Sequence, residues 1–236
     1  MANIVITGAS SGIGFEAVLD LTANKENNVI ALARSADKLR KLHEIASSLN
    51  YDGGKLYPAQ FDIVYDNYPE ILIPFIQSKF DSVDILINNA GALVYKPFLE
   101  TSAEDFATML QTNVLGHVNM IRHVAPLMKN GGHIVNISSM GGFQGSVKFP
   151  GLSAYSASKG ALGVLTECLA EEFKEQGIKV NCLALGSSQT EMFETAFPSV
   201  EAGTLAFEMG RYIAEFAQNG SKYYNGKILP VSNTTP

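Results

Sequence analysis

Short β-branched apolar runs alternate along this chain with longer stretches whose apolar residues recur three and four positions apart. Such alternation predicts a parallel sheet whose strands are joined by crossover helices. Strands are expected at Asn3–Thr7, Val29–Ala33, Lys55–Gln60, Val83–Asn88, His133–Ser138, Lys179–Leu183 and Lys227–Val231. Helices are expected at Gly14–Ala23, Asp37–Leu49, Asn67–Lys79, Ala103–Met128, Ala154–Gln176 and Glu201–Gln218. Any one strand run could be a buried helix fragment, but their lengths and regular spacing favour strands. Glycine-bearing turns at Asn130-Gly131-Gly132 and Gly177 separate helix from strand. With no repeat, low-complexity tract or linker, the expectation is α/β: a single domain over 1–236, built on one doubly wound parallel sheet with helices on both faces.

Composition narrows the function classes. A chain of 236 residues suits one well-buried domain and is short for two. The net charge of −6 argues against a nucleic-acid partner, and the basic residues stand singly or at helical spacing, as in Arg34, Lys38, Arg40 and Lys41. The two cysteines, Cys168 and Cys182, suggest no disulfide framework and are expected to be buried. No signal-like segment opens the chain and no apolar run is long enough to span a membrane. A soluble cytoplasmic protein with no membrane or nucleic-acid partner is expected.

Candidate chemistry begins where the first strand runs into Thr7-Gly8-Ala9-Ser10-Ser11-Gly12-Ile13-Gly14. Glycines there let the backbone approach a pyrophosphate, and the following helix offers free N–H groups and its positive dipole end. The spacing is G-x-x-x-G-x-G rather than the commoner G-x-G-x-x-G, and a purely structural turn is the competing reading. An NAD site wants a carboxylate at the end of the second strand. Here that strand ends Ala33-Arg34-Ser35, so Arg34, helped by Lys38 or Ser35, would instead meet a 2′-phosphate. This favours NADP(H) over NAD(H), unless Arg34 is merely a solvated strand end. Further on, Tyr155 and Lys159 stand four apart and share a helix face. An ammonium and a cationic nicotinamide would favour the phenolate of a tyrosine whose pKa is otherwise near 10. The pair alone is also common on solvated helices.

Taken together, Thr7–Gly14, Asn88-Asn89-Ala90-Gly91, Asn113, Ile137-Ser138-Ser139 and the Tyr155/Lys159 pair resemble the short-chain dehydrogenase/reductase family over nearly the whole chain. The resemblance implies a Rossmann-type fold and an NADP(H)-dependent oxidoreductase acting on a small or medium carbonyl or secondary alcohol, most readily as a reductase. It makes Tyr155 the general acid/base, Lys159 the group that lowers its pKa and bonds the nicotinamide ribose, Ser139 the partner of the substrate oxygen, and Asn113 the holder of a relay water. Of the adjacent Ser138 and Ser139 only one can face the site, because neighbours on a strand point to opposite faces. Cofactor contacts are implied for Gly8, Ser10, Ser11, Gly12, Ile13, Gly14, Arg34, Asp62, Asn89, Ala90, Gly91, Tyr155, Lys159 and Thr190. No metal is implied. A homodimer or homotetramer through the long helices 103–128 and 154–176 is implied as well.

The chain also departs from the family. The Ser139-to-Tyr155 interval is longer than usual, with the extra residues expected in 142–150, where they could shape the substrate entrance. Leu185-Gly186 replaces the usual Pro-Gly. The substrate lid over 187–203 is short, with Met192, Phe193, Ala196 and Phe197 as an apolar cover or as ordinary core. The last strand runs into Asn233-Thr234-Thr235-Pro236 where the family has Asp-Gly-Gly. Three other readings are weighed. A silent NADP(H)-binding sensor or scaffold is disfavoured by the intact Asn113, Ser139, Tyr155 and Lys159. A nucleotide-sugar epimerase is disfavoured by the short C-terminal part. A 3-oxoacyl-carrier-protein reductase is disfavoured by the acidic stretch Ala170-Glu171-Glu172-Phe173-Lys174-Glu175, which would repel an acidic carrier.

Overall fold

In the first strand Ile4 and Ile6 point to one face and Val5 to the other, yet all three are fully buried. A strand can be apolar on both faces only if helices cover the sheet on both sides, and the computed structural model has that arrangement. It describes residues 2–50 and 52–233; Met1, Tyr51 and residues 234–236, which include most of the divergent C-terminal tail, lie outside it. The elements run β1 (Ala2–Thr7), α1 (Gly12–Ala23), β2 (Asn27–Ala33), α2 (Ala36–Leu49), β3 (Lys55–Gln60), α3 (Ile73–Lys79), β4 (Val83–Asn88), α4 (Ala103–Leu110), α5 (Gly116–Val124) and β5 (Met128–Ser139). They continue with α6 (Ser153–Glu172), β6 (Lys179–Leu185), β7 (Ser188–Gln189), α7 (Glu191–Ala196), β8 (Thr204–Leu205), α8 (Ala206–Asn219) and β9 (Ile228–Val231).

Seven strands form one parallel sheet in the order β3-β2-β1-β4-β5-β6-β9. Ile4, Ile6, Ile85, Ile87, Val135 and Leu183 pack under α1, α2 and α8, while Val5, Ile30, Leu86, Ile134 and Val180 pack under α3, α5 and α6. This is the Rossmann-type α/β fold. The chain leaves β1 and β4 toward opposite faces, which opens a crevice above the carboxyl ends of those neighbouring strands.

Two expected helices come out clearly differently. The helix expected over 103–128 is broken by a π-helical turn at Gln111–Leu115, and Pro126, which has no N–H to give, closes it in a 3₁₀ turn before Met128 opens β5. The helix expected from Glu201 starts only at Ala206. Side chains hold the preceding residues extended: Ser187 Oγ accepts from Gly203 N–H at 3.0 Å and Gln189 Oε1 from Ala202 N–H at 3.0 Å. The same contacts organise the 187–203 segment, where β7 pairs with β8 and α7 lies between them.

Candidate active site

The crevice is built from strand ends outward. Thr7, the last residue of β1, is fully buried, and its Oγ1 accepts from the backbone N–H groups of Asn89 and Ala90, both at 3.0 Å. The Asn89 amide donates back to the carbonyls of Thr7 (3.0 Å) and Gly8 (3.1 Å). The glycine turn and the Asn88–Gly91 turn are therefore one braced unit, with Asn89 committed to the brace. Gly14 closes against it: a Cβ there would lie 2.3 Å from Asn89 Nδ2 and 2.4 Å from the Gly8 carbonyl oxygen. Gly8 and Gly12 have φ of +69° and +58°, which favours glycine at both. α1 starts at Gly12 with no side-chain cap from Ser11 and no acid in its first turn. Uncapped N–H groups at a helix start, beside a backbone stripped of side chains, suit the pyrophosphate of a dinucleotide.

At the β2 end of the crevice Arg34 is exposed, and Gln60 donates to its carbonyl at 2.9 Å. Ser35 is occupied as the N-cap of α2, accepting from Lys38 N–H. The Lys38 ammonium reaches Glu191 of the lid at 3.1 Å. Of the three residues expected near a 2′-phosphate, Ser35 and Lys38 thus have their side chains engaged, and Arg34 stands exposed. Asp62 Oδ1 accepts from Val64 N–H at 2.8 Å, and Asp66 accepts from Asp62 N–H at 2.7 Å, which sets Asp62 in the turn after β3.

At the β5 end Tyr155 and Lys159 stand one turn apart on α6, with Lys159 Nζ 5.9 Å from the phenol ring centroid. Ser139, at the end of β5, sets its hydroxyl beside the Tyr155 phenol and draws the phenol pKa down. Ser138 turns the other way and donates to the Lys159 carbonyl at 2.8 Å. Lys159 is buried and donates to the Ile137 carbonyl at 2.8 Å. Asn113 lies inside the π-helical turn, fully buried. It accepts from Ala92 N–H (2.8 Å) and donates to the Ala92 carbonyl (3.0 Å) and to Ser158 Oγ (2.9 Å). Gly91 brings the β4 turn against this pair: a Cβ on it would sit 3.3 Å from Asn113 Oδ1 and 3.4 Å from Lys159 Nζ.

The electrostatics of the protein alone differ from the expectation. Burial raises the Tyr155 phenol, and the Ser139 hydroxyl beside it offsets this only in part. Burial also pushes Lys159 down to about 8, opposed by the nearby Cys182 thiol. Lowering of the Tyr155 pKa is therefore left to what binds beside it.

The segments flanking the site complete it. Thr190 caps α7 by accepting from Phe193 N–H at 3.2 Å, and its methyl would lie 3.2 Å from a Cβ on Gly12, so the lid rests on the dinucleotide turn. The Leu185-Gly186 turn is held by a Gly186 N–H to Val231 carbonyl bond of 2.8 Å. A 3₁₀ turn at Met140–Gly142 follows Ser139, and the stretch 142–150 where the extra residues are expected borders a cavity of about 480 Å³ between Phe98, Phe149 and Ser156. Two expectations are corrected. Cys168 is exposed, because it lies on the outer face of α6; only Cys182 is buried. The acidic stretch at 170–175 lies at the opposite end of α6 from Tyr155, about 24 Å away along the helix axis. It does not line the crevice and does not bear on a carrier protein docking there.

Residues 2–201 match the family model described as short chain dehydrogenase. This chain belongs to the short-chain dehydrogenase family. It is 30% identical to Oxidoreductase BOA17 of Botryotinia fuckeliana over 225 residues, 94% of this chain and 78% of that one. Among solved structures it is similar to a 7α-hydroxysteroid dehydrogenase complexed with NADH and 7-oxo glycochenodeoxycholic acid, with 26% identity, TM-score 0.87, and coverage of 99% of this chain and 94% of that one. A Burkholderia cenocepacia short-chain dehydrogenase in complex with NADP shares the fold at TM-score 0.84 with 24% identity, over 98% and 96% of the two chains. This short-chain dehydrogenase is accordingly an oxidoreductase acting on CH–OH or C=O groups.

Several residues that build the dehydrogenase site carry little signal in the sequence. Thr7 ties the two turns together, and its signal was a buried β-branched hydroxyl at a strand end. Ser158 joins Asn113 to α6 and also donates to the Tyr155 carbonyl at 2.7 Å. His117, fully buried, donates from Nε2 to the Ala90 carbonyl at 2.6 Å, and its Nδ1 is without a hydrogen-bond partner among the described residues. Burial, with the Lys159 charge adding to it, pushes that imidazole down to about 3. A lone histidine on a helix carries no sequence signal for this role. Among the described residues, no helix is long and apolar enough to cross a membrane, and no group of three or more His, Cys, Asp or Glu could hold a metal.

Proposed function

We propose that this enzyme is an NADP(H)-dependent reductase of small or medium carbonyl compounds, with Tyr155 as general acid. The observation that carries the reading is the Ser139–Tyr155–Lys159 grouping at the β5 end of the same crevice whose β1 end is the uncapped, glycine-lined helix start. When bound, the nicotinamide supplies or takes the hydride. The Gly8–Gly14 turn would hold its pyrophosphate, Asp62 its adenine, and Thr190 its carboxamide side. Arg34, exposed at the end of β2 where an NAD site has a carboxylate, would meet a 2′-phosphate.

Within the protein, Ser139 and Tyr155 would share the substrate oxygen, and Tyr155 gives it a proton as the carbonyl becomes an alcohol. Lys159 holds its ammonium beside the phenol and favours the phenolate left behind. Asn113, clamped to Ala92, keeps the β4 turn against Lys159 and would position a water for the proton's return. Assembly through α4–α5 and α6, and a soluble cytoplasmic setting, belong to the same proposal.

Fluorescence titration of the purified protein with NADPH and NADH tests it. NADPH should bind more tightly, and Arg34→Ala should weaken NADPH far more than NADH. Equal weakening removes Arg34 from phosphate recognition, a preference for NADH turns the enzyme to the other cofactor, and binding without reduction of any carbonyl leaves the sensor reading.

A further inference from the structure

An aromatic clasp closes the mouth of the crevice. Tyr95 stands four residues beyond Gly91, which abuts Lys159, and its ring lies against Gly151, four residues before Tyr155. The fit is close: a Cβ on Gly151 would fall 2.6 Å from Tyr95 Cε2, and Gly151 has φ +83°. The backbone locks the two loops together, Lys96 N–H donating to the Gly151 carbonyl at 3.0 Å. Tyr95 is therefore fixed on the catalytic rim. Across the mouth, the Tyr95 ring meets Phe197 at the end of α7, with centroids 5.0 Å apart and planes tilted by 60°. Phe197 in turn meets Phe193 at 5.2 Å and 42°. α7 is anchored at its other end by Thr190 over Gly12. The clasp thus joins the dinucleotide rim to the rim that carries Tyr155, which sets these rings beside the approach to Tyr155 and Ser139. The cations beside this rim in sequence are engaged elsewhere: Lys96 pairs with Asp105 at 2.8 Å, and Lys148 is tied back to the Phe143 carbonyl and Ser146 on its own loop.

We infer that Tyr95, Phe193 and Phe197 select the substrate, and that its class is a ketone or aldehyde bearing a flat aromatic group. The inference rests on the carbonyl-reductase reading of the same site. Tilted aromatic pairs offer a ring face or edge to an inserted ring, and such contacts gain more than the area they bury because the ring quadrupoles are complementary. A saturated ring of the same carbon count buries similar area without that term. Tyr95 and Phe197 touch the substrate wall and take no part in proton or hydride transfer.

The test compares acetophenone with cyclohexyl methyl ketone, by kcat/KM with NADPH, for the intact protein and for Tyr95→Leu, Phe197→Leu and Gly151→Ala. The last variant displaces the Tyr95 ring without removing it. The expected result is a preference for acetophenone of about tenfold in the native enzyme, the scale on which apolar pockets discriminate. The ratio should fall toward one in each variant, mainly through KM, with NADPH affinity unchanged. A native ratio near one, or a ratio unmoved by the three variants, overturns the inference. Benzamide and cyclohexanecarboxamide, which cannot be reduced here, separate it from the reading it rests on. Preferential benzamide binding to the NADPH complex, lost in the variants, with neither ketone reduced, would sink the reductase reading and keep the aromatic site. Reduction of both ketones with no benzamide preference would do the reverse.

Discussion

Asn113 serves as a structural clamp before it serves any chemistry, and Asn113→Ala measures how much. The side chain is fully buried and makes three strong hydrogen bonds: from Ala92 N–H at 2.8 Å, to the Ala92 carbonyl at 3.0 Å and to Ser158 Oγ at 2.9 Å. Truncation leaves Ser158 its bond to the Tyr155 carbonyl, while Ala92, partly buried, recovers some solvation from water. A buried polar group left without its partner costs about 1–3 kcal/mol. Two partially compensated losses and the small cavity therefore come to about 3 kcal/mol, and at this chain length about 6–12 °C in Tm. Thermal unfolding of the ligand-free protein, followed by circular dichroism, reads this directly. Turnover should fall as well, because the β4 turn and Gly91 lose their hold against Lys159. A Tm within about 2 °C of the native value, with activity lost, would refute the clamp and leave Asn113 a purely chemical role.

Four further outcomes are expected. His117 and His133, both buried, are pushed down to about 3 and about 4, so between those values and about 6.5 the unfolded chain binds protons that the folded chain does not. Stability therefore falls as pH drops from 6.5, by about 2 kcal/mol per histidine at pH 5, and urea titrations at pH 7 and pH 5 should differ accordingly unless the histidines are solvated. Tyr155→Phe should lose about 10² to 10⁴ in turnover while NADPH binding persists; near-native turnover would remove Tyr155 from proton transfer. Gly14→Ala drives a methyl into Asn89 Nδ2 and the Gly8 carbonyl and should abolish cofactor binding with a lower Tm, so native-like NADPH titration would contradict the braced turn. Lys159→Met should raise Tm while ending turnover. The ammonium's pKa, down from 10.5 to about 8, records a burial penalty of about 3 kcal/mol, of which the lost Ile137 bond returns about 1; a lower Tm would show the penalty to be compensated.

The sheet was readable because a parallel strand buried on both faces leaves a nearly unbroken apolar run, as Val83–Asn88 does, while the half-exposed edge strand Lys55–Gln60 was readable from its place in the alternation, and both came out at the expected bounds. The Gly8–Gly14 turn was readable because glycine at a strand-to-helix junction has few other uses. What escaped was set by tertiary contact. No local pattern announces that Asn113 sits in a π-helical turn, since the extra residue per turn is stabilised by Ala92 and Ser158, which lie 21 and 45 positions away. The late start of α8 depends likewise on Ser187 and Gln189, which capture the backbone of 202–203. The exposure of Cys168 follows from which face of α6 meets the sheet, and a helix with so even an apolar distribution gave little warning of that.

The same burial that makes the site legible works against its chemistry. Desolvation disfavours every charged form, so it raises Tyr155 and lowers Lys159 together; at about 8 Lys159 still keeps its ammonium at neutral pH, while Tyr155 keeps its phenol proton. Cys182 takes part in this balance: burial raises its thiol to about 11, and its influence on Lys159 runs toward the charged amine. The linkage signs follow. Lys159 costs stability below its folded value of about 8 and returns it as pH rises toward 10.5, whereas Cys182, raised from 9.0 to about 11, contributes stability that is lost through that interval. The two oppose each other across pH 9 to 10.5, so their joint contribution to alkaline stability is flatter than that of either residue alone. A cation brought beside the phenol changes the balance without moving any residue, because it favours the phenolate in the low-dielectric space that burial has created. In the proposed reduction the nicotinamide ring would become cationic only as its hydride leaves, so the phenolate of Tyr155 would be favoured as the proton passes to the substrate oxygen, which would couple proton transfer to hydride transfer.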